Sequence, residues 1–512
     1  MIIKKISLCM LLLVFISMLF AQTVSAEEFA YSKKVDALVA ELEADGFIVQ
    51  ESGYQMIDIL KLCSEGWFEY CFGNNAGFPY LCYTMPPAPG QKPSRGQNPP
   101  VGFDPKDPNN YPANLDFTPP GTTFKLRPDE AILLVGKTPP QARYFSYRSY
   151  VGFVENKPGK DYSDIFVVNS ADGAAYHRVF ASLGDPLNHL SPNTSGTPDH
   201  SAGNAFDKEI VLITTPHQGV NQRVRQAIKK SGISESIVND DIIPASLVNL
   251  GLEDGKDTFL VITRAALWEN NEQGQAFLND PTKTCRVFRI TPKEELAADP
   301  YPVPKLKQRG NGISEFKILP TAKDDLETLR EAILKKHGLP QYKTRELHTD
   351  IWLPEGFIGI CDDLDILAED RDTVYLQSED FQLKSDDDFI IVYGVNHEKT
   401  GKAIYCNLSF YGKELINGVA GSNSSLFTGS AREYFPAGYE NADNYYVVKL
   451  ARKGDDCVIV EKSTDNPRGK AYGVDNNKDS YIITRSYIEK PNQVGPAHYE
   501  LIYDRTILFT KK

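Results

Sequence analysis

Residues Glu209–Gly232, EIVLITTPHQGVNQRVRQAIKKSG, carry the fold class in one stretch. Glu209 to Thr214 is a short run of β-branched and apolar side chains, which reads as a strand. Pro216 and His217 interrupt it. From about 218 to 230, Val220, Val224, Ala227 and Ile228 recur at helical spacing and form one apolar stripe. Arg223, Arg225, Lys229 and Lys230 fall mostly off that stripe. Gly232 is a C-terminal stop, and the basic residues of the last turn suit the helix dipole. Further on, Thr258–Thr263 (TFLVIT) is again a strand. Strand, helix, linking segment, strand is the order of a crossover unit or of a small α+β layer.

Toward the N-terminus, Ala131–Val135 (AILLV) reads as a buried strand. Arg143–Val151 (RYFSYRSYV) mixes alternation with aromatics and reads as another, as does Asp164–Asn169. Residues 86–120 are proline-rich with repeated turn signals, so they form neither helix nor central strand and read as an extended connector. Residues 54–83 combine Cys63, Cys71 and Cys82 with many aromatics. Residues 30–46 predict an amphipathic helix on Val35, Leu38, Val39 and Leu42, ended by Gly46.

Toward the C-terminus, 299–312 (DPYPVPKLKQRGNG) reads as a linker. A second helix is expected at 323–337, with Leu326, Leu329, Ile333 and Leu334 on its face and Gly338 and Pro340 after it. Then strands follow one another at 372–377, 388–394, 402–411, 444–450, 456–462, 480–488 and 498–510, separated by Gly/Asn/Asp clusters. The chain therefore reads as a β-rich α+β protein. Its N-terminal part is a mixed α/β layer and its C-terminal part an antiparallel β-sandwich or barrel-like unit. The expected divisions are 1–26, 27–121, 122–310 and 311–512.

The first of these divisions is a targeting segment. Lys4 and Lys5 precede an apolar run from Ile6 to Phe20, and Val24-Ser25-Ala26 offers a small-residue cleavage site. The run is short for a membrane span. A secreted or periplasmic protein without integral membrane contact is expected. The whole chain of 512 residues carries 55 Lys+Arg against 68 Asp+Glu, a net charge of −13. That balance argues against nucleic acid, which needs clustered cations. Export permits disulfides. Two of Cys63, Cys71 and Cys82 are expected to bridge, and Cys406 with Cys457 makes a second plausible pair. The spacing does not suit zinc.

No hydrolase elbow, zinc-protease helix, phosphate loop, dinucleotide fingerprint or EF-hand loop is present. Softer candidates remain. Asp185, Asn188 and His189 leave one turn, where a carboxylate can orient an imidazole for acid/base work. The plainer reading makes Asp185 a backbone cap and His189 a surface residue. Asn396 and His397 follow a strand end, a usual place for a pocket loop. His217 opens the 218–230 helix, where backbone N–H groups can hold an anion or the side chain can cap. Tyr147 and Arg148 lie where rings and cations interleave on one strand and could stack on a ligand. Asp185, His189 and His397 are the catalytic candidates. Asn188, Asn396, His217, Tyr147 and Arg148 are the ligand-binding ones. No metal set is assigned. Calcium is the one cofactor considered, at the acidic runs 362–365, 369–372 and 386–388, whose plainer reading is solvated surface. Two functions follow: an exported binding or surface-associated protein for a carbohydrate or other small molecule, or a secreted hydrolase-like enzyme using the Asp/His loops in one cleft.

Overall fold

The computed structural model describes residues 32–59, 61, 71, 73–75, 79–91, 122–162, 167–169, 175–464 and 472–512. The expected targeting segment and most of the expected 86–120 connector lie outside them. Strand outweighs helix, in antiparallel and mixed sheets that curl, so the chain is β-rich α+β.

An eleven-stranded sheet forms the N-terminal part. In spatial order its strands are Val167–Asn169, Ala175–Ser182, Ala142–Glu155, Phe259–Trp268, Tyr80–Thr84, Phe47–Ile57, Cys285–Pro292, Ala131–Lys137, Glu209–Thr215 and Val238–Ile242, with Leu187–Asn188 beside Ala142–Glu155. The strand Phe47–Ile57 joins its two halves. Phe47 to Ser52 pair with Cys285–Pro292, and Gly53 to Ile57 pair with Tyr80–Thr84. Gly53 stands at the changeover, where a Cβ would meet Thr84 Oγ1 at 2.0 Å. Only glycine lets the two strands approach there.

The AILLV run explains the layering. Ile132 and Leu134 enter a core shared with Tyr54, Leu81, Phe145, Tyr147 and Val261 of the other half-sheet. The sheet thus curls over on itself. Ala131, Leu133 and Val135 point the other way, into a core with Val220, Val224 and Ile228 of the helix Gln218–Lys230 and with Val35, Leu38 and Leu42 of the helix at 32–44. A strand buried on both faces reads as continuous hydrophobicity for that reason.

The crossover exists, but it closes on a different strand from the one expected. Glu209–Thr215 pairs in parallel with Val238–Ile242, immediately after the helix. The expected partner, at 258–263, lies across the sheet between Ala142–Glu155 and Tyr80–Thr84. The sequence VNDDI of the true partner is polar because it is the sheet edge, and that polarity hid it.

The C-terminal part is a sandwich. One sheet orders Tyr342–Leu347, Arg505–Lys511, Phe389–Val395, Tyr445–Ala451 and Val458–Ile459; the other orders Thr349–Ile351, Thr373–Ser378, Asp479–Tyr487, Tyr405–Gly412 and Asn417–Asn423, with Phe381–Gln382 beside Asp479–Tyr487. Ile390, Val392 and Leu508 of the first meet Leu408, Phe410 and Ile482 of the second in one core. The helix Ala322–His337 covers the outer face of the first sheet through Leu326, Leu329 and Ile333. Each such side chain contributes about 1.5–3 kcal/mol on burial.

Among the described residues Cys82, Cys285, Cys361, Cys406 and Cys457 are free thiols. Cys406 is a buried free thiol facing Ser486, and Cys457 faces the Lys453 and Gly454 carbonyls in its own turn. Cys406 lies in a strand and Cys457 in a turn, both as free thiols, so the expected Cys406–Cys457 bridge does not form. Cys82 is also a buried free thiol; Cys63 lies outside the described residues. No helix among the described residues is long and apolar enough to cross a membrane.

Candidate functional site

Two places draw polar side chains together: a buried seam between the large sheet and the sandwich, and an open cleft near the same seam.

The seam gathers Asp185 and Asn188 with the run Glu369–Asp372. Arg371 Nε donates to Asp185 Oδ1 at 2.7 Å, and the Lys307 backbone N–H donates to Asp185 Oδ2 at 2.6 Å. Arg371 also pairs with Glu355, which Arg309 holds from the other side at 2.6 Å. Asn188 Nδ2 donates to Asp372 Oδ1 at 2.5 Å. Asp370 and Asp372 are both buried, and the Tyr144 hydroxyl lies 3.1 Å from Asp370 Oδ2 and 3.0 Å from Asp372 Oδ2. The same hydroxyl is 2.6 Å from Ser146 Oγ. A phenol has one proton to give. It can serve one carboxylate, so the second approach calls for a proton on a carboxyl group. Burial, with the neighbouring Asp370 charge, holds Asp372 well above the usual carboxylate range. Burial also pushes Glu369 up to about 7, although Ser182 Oγ donates to it at 2.9 Å; the Glu355 and Asp370 charges add to the rise. The 369–372 run is therefore a buried network, not the solvated surface expected of it.

The other acidic runs spend their charge on lysine and arginine. Asp363 meets Lys157 and Lys160, Asp365 meets Arg178, Asp386 meets Lys462, and Asp387 meets Lys453 and Lys511. Asp388 accepts from the backbone of Lys384 and Ser385. Among the described residues no group of three or more His, Cys, Asp or Glu side chains is placed to hold a metal ion.

The remaining candidates scatter. His189 is not at the surface. Its ring sits among Tyr144, Phe145 and Phe206, and burial, with the Arg143 charge, lowers it to about 4. Asp185 is committed elsewhere, so the pair does not form. His397 is buried 2.7 Å from Glu315 Oε1. Burial works against its charge, but the Glu315 carboxylate outweighs it and holds the imidazole above its ordinary value. Asn396 is buried beside it and accepts from the Glu398 N–H. Tyr147 and Arg148 are both buried, Arg148 2.6 Å from Asp241 Oδ1, so that strand face is core and not a stacking platform.

His217 is a cap. Its Nδ1 accepts from the Val220 N–H at 3.1 Å, and Nε2 lies 2.9 Å from the Ala297 carbonyl, to which it donates. The anion that this helix N-terminus attracts is the chain's own: the Gly219 N–H donates to Asp299 Oδ2 at 2.9 Å. His217→Ala orphans the Val220 donor and the Ala297 carbonyl and should cost about 2 kcal/mol. His217→Asn restores the cap and should recover about half of that, as read from urea midpoints.

The open cleft has a volume of about 710 Å³ and lies within the range of small-ligand sites. Its floor is the end of Phe259–Trp268 with Tyr80, and one wall is the helix Asn271–Asn279. Asn270 caps that helix by accepting from the Glu272 and Gln273 N–H groups. Gly274 lets the helix settle on Trp268, since a Cβ there would lie 2.2 Å from the indole. The half-buried Trp268 also meets Phe277 edge to face. Asn271 and Gln275 line the cleft, and their side-chain amides, like the Trp268 indole N–H, make no hydrogen bond to any described residue. Among the described residues, Asp58 is the one charged side chain lining it. A second cleft, of about 550 Å³, adjoins it and shares Leu267 and Ser425. Asp185, His189, Asn396 and His397 line neither.

Sequence reasoning passed over these residues. The available signal was a tryptophan closing a strand and followed at once by an amide-rich helix start, Trp268-Glu269-Asn270-Asn271-Glu272-Gln273.

No protein-family model matches the chain, and no curated protein matches it. Among solved structures it is similar to the VPA0106 protein from Vibrio parahaemolyticus, at 9% identity and a TM-score of 0.30 over 76% of this chain and 87% of that one. It is also similar to an uncharacterised protein from Burkholderia cenocepacia, at 11% identity and a TM-score of 0.27 over 95% and 98% of the two chains.

Proposed function

We propose that the protein is an exported binding protein that takes a small, neutral, polar ligand in the cleft beside Trp268. The observation that carries this reading is the set of unspent hydrogen-bonding groups there. Asn271, Gln275 and the Trp268 indole face a cavity without a hydrogen-bond partner among the described residues, above a floor of Tyr80, Leu267 and Ile57. Binding sites combine a few convergent polar groups with an apolar floor in this way. Side-chain amides both donate and accept, so they match hydroxyl and amide groups better than ions. Export rests on the leader at residues 1–26.

The test is a screen of free sugars, polyols and small amides by intrinsic fluorescence and melting temperature. Neutral ligands should quench or shift Trp268 emission, and Trp268→Ala should weaken their binding at least tenfold. Amino acids and nucleotides should leave both signals unchanged. Binding that survives Trp268→Ala and Gln275→Ala would remove the ligand from this cleft. Expression with the native leader should yield a mature N-terminus at Glu27.

A further inference from the structure

Resting on that binding site, we infer that its ligand is a chain, a neutral oligosaccharide laid through both clefts. The two cavities, about 710 and 550 Å³, are each the size of a small-molecule site. They share Leu267 and Ser425, so they form one groove, longer than a single sugar ring fills.

The join is built from an unusual backbone. Leu267 has a φ of 55°, in the left-handed region that side chains other than glycine rarely adopt. Its strand nevertheless holds one register on both sides of it, Ala266↔Tyr144 and Trp268↔Ala142. Such strain costs on the order of 1 kcal/mol and persists where surrounding structure holds it, often at ligand sites. Here the strained residue lines both cavities.

The lining favours a polyhydroxylated chain over other extended ligands. The strand Tyr80–Thr84 is paired on both sides, by Phe47–Ile57 and by Phe259–Trp268. No free edge is therefore offered there for a peptide to add a strand. Among the described residues the first cleft has one charged lining residue, Asp58. The second holds two cations, Arg143 and Lys399, and two anions, Glu269 and Glu398, with Gln141, Ser424 and Thr428. Arg143 and Glu398 neutralise each other directly. A polyanion finds no cationic track. Amides, hydroxyls and balanced charges over aromatic and aliphatic surface suit sugar hydroxyls above and sugar C–H faces below.

The experiment is a length series. Glucose, N-acetylglucosamine, mannose and galactose are titrated as monomers through hexamers against the full-length mature protein by calorimetry. At least one series should gain tenfold or more in affinity between monomer and hexamer and then level off. Ser425→Trp fills the join from an exposed position. It should abolish the gain with length, so that monomer and hexamer bind alike. A wild type that binds monomer and hexamer alike, or a length gain that survives Ser425→Trp, overturns the chain inference and leaves the Trp268 cleft standing. Failure of every sugar at every length overturns the saccharide class, and the cleft itself is then judged by the Trp268→Ala result with the other neutral ligands.

Discussion

Arg289→Met is expected to destabilise the protein by about 3–5 kcal/mol, the usual cost of removing one partner from a buried ion pair. Arg289 and Glu130 are both fully buried. The guanidinium donates from Nε to Glu130 Oε1 at 3.0 Å and from Nη2 to Glu130 Oε2 at 2.6 Å. It also donates to the Pro86 carbonyl at 3.0 Å and the Lys125 carbonyl at 2.8 Å. Glu130 accepts in turn from Thr291 Oγ1 and from the Arg127 N–H. One side chain thus ties three backbone segments to the middle of the sheet. Methionine has similar bulk, so little of the expected loss is cavity. The loss comes from a carboxylate left in a low-dielectric interior with no cation. Replacing both partners, as Arg289→Met with Glu130→Leu, removes that orphan and should recover more than half of the loss. Urea unfolding of both single variants and the double variant measures the coupling directly. Additive losses would mean that the pair does not act as a unit.

This network was not legible in the sequence, while the elements around it were. Periodicity is a local property, so the helix expected at 218–230 and the strands expected at 131–135, 143–151 and 209–214 fall within the observed elements. The same holds for the strands expected at 388–394 and 444–450, each within a residue or so. The 456–462 strand shrinks to Val458–Ile459, and 498–510 begins only at Arg505, after a 3-10 turn at His498–Glu500. Phe47–Ile57 and Tyr80–Thr84 went unseen because aromatics and cysteines there masked the alternation, yet they are the hinge of the large sheet. Site residues were harder still. Arg289 meets Glu130, and Asn188 meets Asp372 184 residues away. Such partners are set by topology, which one sequence does not disclose. Asp185 and Asn188, read as site candidates on one turn, are held in the buried seam by Arg371 and Asp372. His189, next to Asn188, packs among aromatic rings instead. A turn's chemistry does not say which of its side chains the fold will swallow.

The proton held at the seam supplies the second large effect. Glu369→Gln combined with Asp372→Asn should stabilise the protein relative to wild type, and the gain should grow with pH. Both acids bind protons more tightly when folded, so wild type pays for their ionisation as pH rises from the unfolded value through the folded one. For Glu369 that window runs from 4.5 to about 7. The shift corresponds to on the order of 3 kcal/mol by pH 7.5. Asp372 adds to it in the same direction, because burial and Asp370 raise it too. The charges that face the pair are those of Arg264, 3.3 Å from Asp370 Oδ2, and of Lys307, Arg309, Glu355 and Asp370. All of them remain in the variant. Glutamine keeps an acceptor for Ser182 and for the Gly356 N–H, and asparagine can donate to the Tyr144 oxygen while accepting from Asn188. Wild type alone cannot show the effect, because buried His177 and His189, both lowered to about 4, make stability rise with pH over much of the same range. The difference between variant and wild type cancels those histidines. That difference, from urea unfolding at pH 4.5, 6.0 and 7.5, should be smallest at pH 4.5 and widen steadily. A difference that is flat, or that narrows as pH rises, would show that the seam holds no proton, and that Tyr144 bridges two fully ionised carboxylates.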